Sequence, residues 1–328
     1  MGWRLGIVHT TRVSYADAVR ASFNEARMTP LTLPSQITLR SVVSVGGGVP
    51  VWTYCDYWGS YVTVFDIAES HETLVIRAES TVETDQDTGA AAPPVMSWDE
   101  LTARAAGGRL LEYLLPTPLT AVTAEIAAAA LSEVRGADPV RAAEQIAALV
   151  RAHVSYVAGA TGVRTNAQDA WDQRQGVCQD MAHVTISLMR AAGLPARYVS
   201  GYLHADPDAA PGSTVAGQSH AWAEYWAGSW RACDPTSGAA VAERHVVVGR
   251  GRDYADVPPL KGIYHGTPLG KQEVTVEVTR LALLVSSGCQ DSARERRRKA
   301  SWSRSRFSAT VSDEARCVIP VSGSTSCG

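Results

Sequence analysis

Short runs rich in Val, Ile, Thr and aromatic residues, separated by polar and glycine-rich turns, make up the first part of the chain. Runs of this composition, bounded by Gly and Asp, are typical of β-strands. They predict strands at residues 3–15, 37–45, 60–67 and 72–82. The pattern therefore predicts an N-terminal β-rich domain over residues 1–84.

The hydrophobic spacing becomes helical after a linker at residues 85–96. The sequence Ser-Trp-Asp-Glu at 97–100 forms a capping box, which opens a helix. Asp138-Pro139 predicts a second helix start, and Gly159 its end. The apolar positions between them form one stripe, which we interpret as core packing: Val140, Ala143, Ile146, Ala147, Val150, Val154 and Val157.

A further helix begins beside the first candidate for chemistry. A short helix at 166–174 leads to Gly176, which permits a tight turn. Apolar residues then recur at helical spacing until Gly193 and Pro195, which predict the helix end. Cys178 therefore falls in the first turn of a helix of about four turns.

Cys178 is a candidate nucleophile because of this position. Unpaired backbone N–H groups and the positive end of the helix dipole favour a thiolate. The N–H of Cys178 can also point toward a developing oxyanion. The alternative is an inert cysteine packed as a small hydrophobic residue, but the preceding glycine and the helix start favour function.

An aromatic-rich pattern predicts a hairpin further along the chain. Residues 219–226 and 230–234 are predicted strands, joined by a turn at Gly228. With a three-residue turn, Asp234 lies on the same face as His220 and diagonal to it. A two-residue turn would place Asp234 on the opposite face.

Each of these residues, taken alone, has a non-catalytic structural interpretation. A strand histidine often binds a backbone carbonyl, and an aspartate before proline often only starts a turn. Together, Cys178, His220 and Asp234 supply a thiol, an imidazole and a carboxylate, the arrangement used for nucleophilic catalysis. Asp234 would orient the His220 ring and stabilise its protonated form.

The remaining elements complete an α+β arrangement. Residues 198–203 and 274–282 are predicted strands. The segment 206–218 is predicted to be a loop, which either lines the substrate site or is a permissive surface insertion. Helices come first and strands follow, around a nucleophile at a helix start, as in papain-like proteins.

Three segments resemble the core motifs of the transglutaminase-like superfamily, closest to its bacterial thiol hydrolases and peptidases. These segments are Gly176–His183, Ser219–Glu224 and Trp230–Thr236. The resemblance implies a papain-like transglutaminase core over residues 97–282. It also implies that Cys178, His220 and Asp234 are the catalytic triad. Cys233 departs mildly from the family pattern, where an aliphatic or aromatic residue is more usual.

The N-terminal segment is also similar to the β domain that often precedes this core. The resemblance covers roughly residues 1–282 in all. Its N-terminal part is carried by Trp3-Arg4-Leu5, His9-Thr10-Thr11, Asn24-Glu25-Ala26-Arg27 and Asp56-Tyr57-Trp58-Gly59.

Residues near the motifs are assigned supporting or separate roles. Asp180 suits the positive end of the helix dipole. His183 lies roughly 140° around the helix from Cys178, away from the site. Trp222 is predicted to pack over the imidazole, and Glu224 to face the same side as His220. Tyr156 is a candidate second oxyanion donor that the sequence does not place.

Composition excludes several function classes. Hydrophobic residues make up 45% and charged residues 19% of the chain, as in soluble globular proteins. A net charge of −3 does not favour nucleic-acid binding. No apolar run is long enough to span a membrane, and the first residues lack a signal core. The six cysteines form no zinc motif or disulfide framework, so we expect a cytoplasmic protein without metal or cofactor.

The segment 283–328 differs from the rest in being basic and serine-rich without periodicity. It is either an arm for nucleic acid or a membrane surface, or a disordered tail that need not be native. The abrupt change of composition favours the tail.

These observations predict acyl transfer on an amide or peptide bond through a thioester, with a protein or peptide substrate. Water as acceptor gives a peptidase or amidase, which we favour because no calcium-loop pattern is present. The alternative is a cross-linking protein-glutamine gamma-glutamyltransferase. Two further hypotheses are a non-catalytic binding module on the same fold and a metal site formed by Cys178, His220 and Asp234.

Overall fold

The computed structural model describes residues 2–85, 96–217, 219–266 and 269–282. The predicted tail at 283–328 and most of the predicted linker at 85–96 lie outside the described residues.

The described residues form five α-helices and fifteen strands. The helices are α1 (Trp98–Ala105), α2 (Ala124–Glu133), α3 (Pro139–His153), α4 (Ala167–Gln173) and α5 (Cys178–Ala191). The strands before α1 are β1 (Trp3–Val19), β2 (Ala21–Ala26), β3 (Gln36–Val45), β4 (Trp52–Cys55), β5 (Tyr61–Ile67) and β6 (His71–Thr84). Two short strands flank α4, namely β7 (Ser155–Tyr156) and β8 (Gln175–Gly176). Those after α5 are β9 (Ala196–Leu203), β10 (Thr214–Gly217), β11 (His220–Trp226), β12 (Trp230–Cys233), β13 (His245–Gly251), β14 (Leu260–His265) and β15 (Leu269–Leu281). None of the described helices has the length and apolar character needed to cross a membrane.

The predicted N-terminal strands are confirmed as β1, β3, β5 and β6. The sequence pattern misses β2 and β4. Strand β2 follows β1 after a single residue, Arg20, and therefore looks like its continuation. Strand β4 has only four residues, too few for a clear pattern.

The predicted helix starts are confirmed by their caps. The Ser97 hydroxyl accepts the N–H of Glu100, whose carboxylate accepts the N–H of Ser97. Asp138 accepts the N–H groups of Val140 and Arg141, at 2.9 and 3.0 Å. These side chains satisfy N–H groups that lack partners in the first turn.

The predicted stripe of α3 extends too far at its C-terminal end. The helix ends at His153, and Val154 is already extended. Strand β7 follows and pairs in parallel with β8, so backbone pairing outweighs helical spacing here. Val157 is consequently 40% exposed rather than in the core.

A four-stranded sheet in the order β12-β11-β9-β13 carries helix α5 on one face. Ala221, Ala223 and Tyr225 of β11 point toward the helix and share a buried cluster with Met181 and Leu188 of α5. Residues 179–190 of α5 are all buried, because α2, α3 and α4 also pack against this helix. Helix α5 is therefore the central element of the core.

A buried arginine fixes the C-terminal end of α5. The guanidinium of Arg190 donates to the backbone oxygens of Tyr113, Leu115, Ala196 and Arg252. Burial is the main reason that the pKa of Arg190 falls to about 10. These bonds hold α5 in place relative to β9 and the segment before α2.

The N-terminal strands share their sheets with strands from the far end of the chain. One sheet has the order β10-β15-β1-β6-β3, and the other has the order β14-β2-β5-β4. Strands β14 and β15 belong to the predicted core range 97–282, yet they pair with β2 and β1. The predicted boundary at 85–96 therefore separates two stretches of sequence, but strands from both sides of it share the same sheets. Contacts group the described residues on both sides of this boundary as one compact unit.

The segment 206–218, predicted as a loop, contains strand β10. Residues Thr214–Gly217 pair antiparallel with residues 276–279 of β15. The prediction of a plain loop is wrong here because the partner strand lies about 60 residues away in sequence, beyond the reach of a local pattern.

One glutamine ties the N-terminal region to the core sheet. The side-chain amide of Gln36 donates to the carbonyl of Val247 at 2.9 Å and accepts its N–H at 2.8 Å. It also donates to the carbonyl of Leu31. This buried side chain thus pairs with β13 as a neighbouring strand would.

Candidate active site

Cys178 is the first residue of α5, as predicted, and it is partly exposed. Val177 before it is extended, and the carboxylate of Asp180 accepts the Val177 N–H at 2.8 Å. Gly176 is required at this turn, because a Cβ there would lie 2.8 Å from Asp180 Cβ. The thiol therefore sits at a tightly capped helix N-terminus, where the dipole favours a negative charge.

Asp180 is a structural support in this arrangement. Its carboxylate accepts the hydroxyl of Thr161 as well as the Val177 N–H. Burial raises the pKa of Asp180, and the two hydrogen bonds oppose that rise. The side chain points back at the start of the helix, which agrees with the role expected from its position.

The predicted hairpin register is confirmed. Ala223 pairs with Cys233, and Trp226 with Trp230, around the turn at Gly228. This register puts Asp234, directly after β12, on the face of His220. The Nε2–H of His220 donates to Oδ2 of Asp234 over 2.9 Å.

The imidazole of His220 joins the carboxylate to the thiol. Because Nε2 is bonded to Asp234, Nδ1 is the nitrogen available to the thiol of Cys178. Burial alone would lower the pKa of His220, but hydrogen bonds to Asp234 and Cys178, with their charges, raise it to about 9. The structure thus brings together all three residues that the sequence singled out.

Asp234 is held as a carboxylate by several donors. Its side chain is fully buried. Oδ1 accepts the N–H of Thr236 at 2.9 Å, and Oδ2 accepts the hydroxyl of Ser237 at 2.7 Å in addition to His220. Burial would raise the pKa of Asp234, but the hydrogen bond from His220 and the nearby ring of His245 keep it well below its usual range.

His245 is a fourth member of the site that sequence reasoning missed. It is the first residue of β13 and is buried, with Nε2 at 3.6 Å from Oδ2 of Asp234. Its Nδ1 accepts the N–H of Ala242. Burial is the main cause of a lowered pKa for His245. The sequence patterns predict no element or motif at residues 245–251, and no spacing signal links His245 to Cys178, His220 or Asp234.

Trp222 packs beside both imidazoles, as expected for His220. Its ring stacks near His220, with centroids 6.0 Å apart, and meets His245 edge-on at 5.3 Å. Gly201 of β9 makes room for this ring, because a Cβ there would lie 2.6 Å from the Trp222 side chain. A glycine on the strand between β11 and β13 therefore lets the aromatic groups meet.

His183 and Glu224, both weighed from the sequence, have partners of their own away from the thiol. His183 accepts the N–H of Tyr254 at its Nε2, and burial lowers its pKa to about 3. Glu224 shares the sheet face with His220 but is ion-paired with Arg197 and Arg250. Neither side chain is available for chemistry at Cys178.

Tyr156 lies near the thiol on β7. Its partner in β8 is Gly176, two residues before Cys178. Partial burial and then the proximity of Cys178 raise the pKa of Tyr156. The phenol is therefore protonated near neutral pH and available as a donor beside the nucleophile.

Among the described residues, the donor atoms of His220, Asp234 and His245 are grouped closely enough to be considered as metal ligands, lying within 4.8 Å of one another. Binding through Nε2 of His245 would require a proton on Nδ1, where the N–H of Ala242 already points. Oδ2 of Asp234 is also occupied by Ser237 and His220. The donor set is suited to a hydrogen-bond network rather than to a metal.

Comparison with known proteins agrees with this arrangement. Residues 127–235 match the Transglutaminase-like superfamily, and residues 5–83 match the Bacterial transglutaminase-like N-terminal region. Part of the chain, 109 residues or 30% of it, is 34% identical to the protein-glutamine gamma-glutamyltransferase of Pseudomonas aeruginosa, covering 16% of that protein.

Longer matches extend over most of the chain. The uncharacterized protein ML0607 of Mycobacterium leprae is 42% identical over 282 residues, which is 85% of this chain and 100% of that protein. A crystal structure of a candidate cysteine protease from Cytophaga hutchinsonii has a TM-score of 0.66 at 20% identity, covering 86% of this chain and 94% of that chain. The fold, the order of the motifs and these matches agree, and the chain belongs to the transglutaminase-like superfamily.

Proposed function

We propose that this protein is a cysteine-dependent enzyme that cleaves amide or peptide bonds through a thioester. The observation that carries the proposal is the continuous contact from Asp234 through His220 to Cys178. A thiol beside an imidazole, itself oriented by a buried carboxylate, is the arrangement of thiol acyl transferases.

In the first half-reaction, the thiolate of Cys178 attacks the substrate carbonyl carbon and forms a C–S bond. The carbonyl π electrons move to oxygen, near the N-terminus of α5, whose N–H groups stabilise the negative charge. The protonated His220 then donates its Nδ1 proton to the leaving nitrogen as the C–N bond breaks. A free amine and a thioester at Cys178 result.

In the second half-reaction, His220 is neutral and acts as the base. It takes a proton from water as the oxygen attacks the thioester, the C–S bond breaks, and a carboxylic acid and the thiolate–imidazolium pair result. If a primary amine attacks instead, the product is a new amide. We propose hydrolysis, with transfer to an amine as the alternative, since the two reactions share the thioester.

Exposed apolar side chains beside the thiol support a peptide or protein substrate. Tyr156 and Val163 are 54% and 57% exposed. Gln179, next to Cys178, donates to the carbonyl of Val163 at 3.3 Å and so ties that segment to α5. Apolar groups at this rim offer contact area for side chains that flank a scissile bond.

Labelling with a thiol-directed electrophile tests the nucleophile. We expect Cys178 to react near neutral pH much faster than Cys55, which is exposed and therefore serves as an internal control. Replacement Cys178→Ala should abolish the fast labelling, leaving only the slow labelling of Cys55, and should abolish the cleavage of a peptide library. Equal reactivity of the two cysteines, without cleavage, would instead favour the non-catalytic binding module.

A competition experiment separates the two acceptors. Reduced enzyme is incubated with a glutamine-containing peptide, with and without an excess of a primary amine, and the products are resolved by mass spectrometry. Release of free acid or peptide fragments in the presence of the amine supports hydrolysis. Predominant formation of the amide of the added amine would establish the transferase alternative.

A further inference from the structure

We propose that His245 is a positioning residue for the reaction, whose Nε2–H holds the Asp234 carboxylate in the orientation that serves His220. This inference rests on the proposed function, because it assigns a second imidazole to the same carboxylate. In this role His245 acts through Asp234 and not on the reacting atoms.

The tautomer of His245 follows from its neighbours. The N–H of Ala242 points at Nδ1 over 3.3 Å, so Nδ1 carries the lone pair. The proton of the neutral ring is therefore on Nε2. This assignment aims a donor, rather than a lone pair, at the carboxylate.

Within the part of the chain that the structure describes, Nε2 of His245 is buried and has no partner at normal hydrogen-bond distance. The carboxylate oxygen Oδ2 of Asp234 lies 3.6 Å from it. Such contacts are often long in unliganded sites and shorten when substrate binds. A buried unsatisfied N–H is costly, which favours this closure.

The ring is held in place by its surroundings on two sides. Trp222 meets it edge-on, and His220 lies 6.1 Å away between ring centroids. Two residues along β13, the backbone of Val247 is bound by the side-chain amide of Gln36. The N-terminal region thus helps fix the strand that presents His245 to the catalytic carboxylate.

The two imidazoles beside Asp234 carry different charges near neutral pH. Burial would lower the pKa of both rings. For His220, Asp234 and Cys178 outweigh burial and raise the pKa to about 9. For His245, burial prevails and the pKa is lowered. His220 is therefore the ring that gains and loses a proton during turnover, and His245 stays neutral. A neutral N–H donor can orient the Asp234 carboxylate without forming a second ion pair in competition with protonated His220.

Two substitutions separate positioning from packing. His245→Gln keeps a side-chain N–H donor and an acceptor, whereas His245→Leu keeps apolar bulk and removes both. We expect kcat of His245→Leu to fall by about tenfold or more, with KM nearly unchanged, and His245→Gln to recover most of the loss. Thermal unfolding and circular dichroism establish that both variants are folded. Equal losses in both variants, or no loss in His245→Leu, would overturn the proposal.

A measurement independent of turnover tests the contact itself. Nitrogen-15 NMR of the histidine rings in the full-length Cys178→Ala protein reports which nitrogen of His245 is protonated, with His245→Gln used for assignment. We expect an Nε2–H tautomer whose resonance moves on Asp234→Asn. An Nδ1–H tautomer, or a resonance indifferent to Asp234, would overturn the proposal. Because this readout needs no activity, it remains decisive even if the enzyme proposal fails.

Discussion

Two buried carboxylates lie on the same face of the core sheet, and their partners differ in kind. Glu224, on β11, is bound by the guanidinium groups of Arg197 and Arg250. Asp234, just after β12, is bound by His220, with His245 close by. Burial would raise the pKa of both carboxyls, and in each case the partners lower it instead.

The difference lies in what the partners can do. A guanidinium stays charged near neutral pH, so the Glu224 cluster has one charge state there and serves the fold. An imidazole gains and loses a proton in the range where enzymes work, so the Asp234 cluster can take part in proton transfer. The same sheet face thus carries a fixed electrostatic anchor and, close to it, a group suited to chemistry.

The largest expected effect is on the Asp234 side of this comparison. Asp234→Asn should lower kcat by about 10⁴-fold, because the amide no longer selects the required tautomer and charge of His220. Circular dichroism should show a folded protein. Single-turnover acylation with a peptide substrate measures the effect. Retention of most of the activity would show that the carboxylate is not part of the catalytic machinery.

The Glu224 side should respond in stability and not in chemistry. Glu224→Leu leaves two buried guanidinium groups without a counter-charge and should lower the free energy of unfolding by about 3 kcal/mol. Urea denaturation measures the loss, and the folded fraction should keep its kcat. The matched control is Glu144→Leu, which removes an exposed ion pair with Arg141 and should change stability by less than about 1 kcal/mol.

The pH response should distinguish the two clusters further. Burial alone would lower the pKa of His220, but Asp234 and Cys178 raise it from 6.5 to about 9. The stabilisation from protonated His220 is therefore fully present below pH 6.5 and lost as the pH rises through about 9. We expect kcat/KM, and the Tm difference between the wild type and His220→Gln, to decline together over that range. The stability difference caused by Glu224→Leu should stay constant there, and a parallel decline in it would contradict the comparison.

The smallest effect is expected from the hydroxyl that donates to the Asp234 carboxylate. Ser237→Ala removes a 2.7 Å hydrogen bond to Oδ2 of Asp234 and should lower kcat by about tenfold, the equivalent of about 1.4 kcal/mol. Ser41→Ala, which removes a hydroxyl–hydroxyl contact with Ser80 in the N-terminal sheet, is the matched control and should leave kcat unchanged. Identical rates for both variants would remove Ser237 from the network.

The parts of the site that depend on local pattern could be predicted from sequence. The start of α5 at Cys178 follows from a glycine and a helical repeat, and the pairing of His220 with Asp234 follows from one three-residue turn. Both are determined by residues within a few positions of one another. The functional role of the three residues remains a prediction, which the substitutions above are designed to test.

The features that the sequence did not reveal depend on distant pairing. His245 reaches Asp234 only because β13 joins the sheet across β9, with Gly201 leaving space between them. Strand β10 forms by pairing with β15, and β7, which ends the helical path after α3, forms by pairing with β8. Partners so far apart in the chain leave no periodic trace at either position.

The position of β1 has a consequence for how the protein is made. This strand lies between β6 and β15, and its Arg4 pairs with Leu281 near the far end of the described chain. During synthesis, β1 and β6 emerge early, whereas β15 leaves the ribosome only after nearly all of the core has been translated. The edge of β1 that binds β15 therefore has no strand partner until late in translation. This sheet is completed by contacts of very large sequence separation.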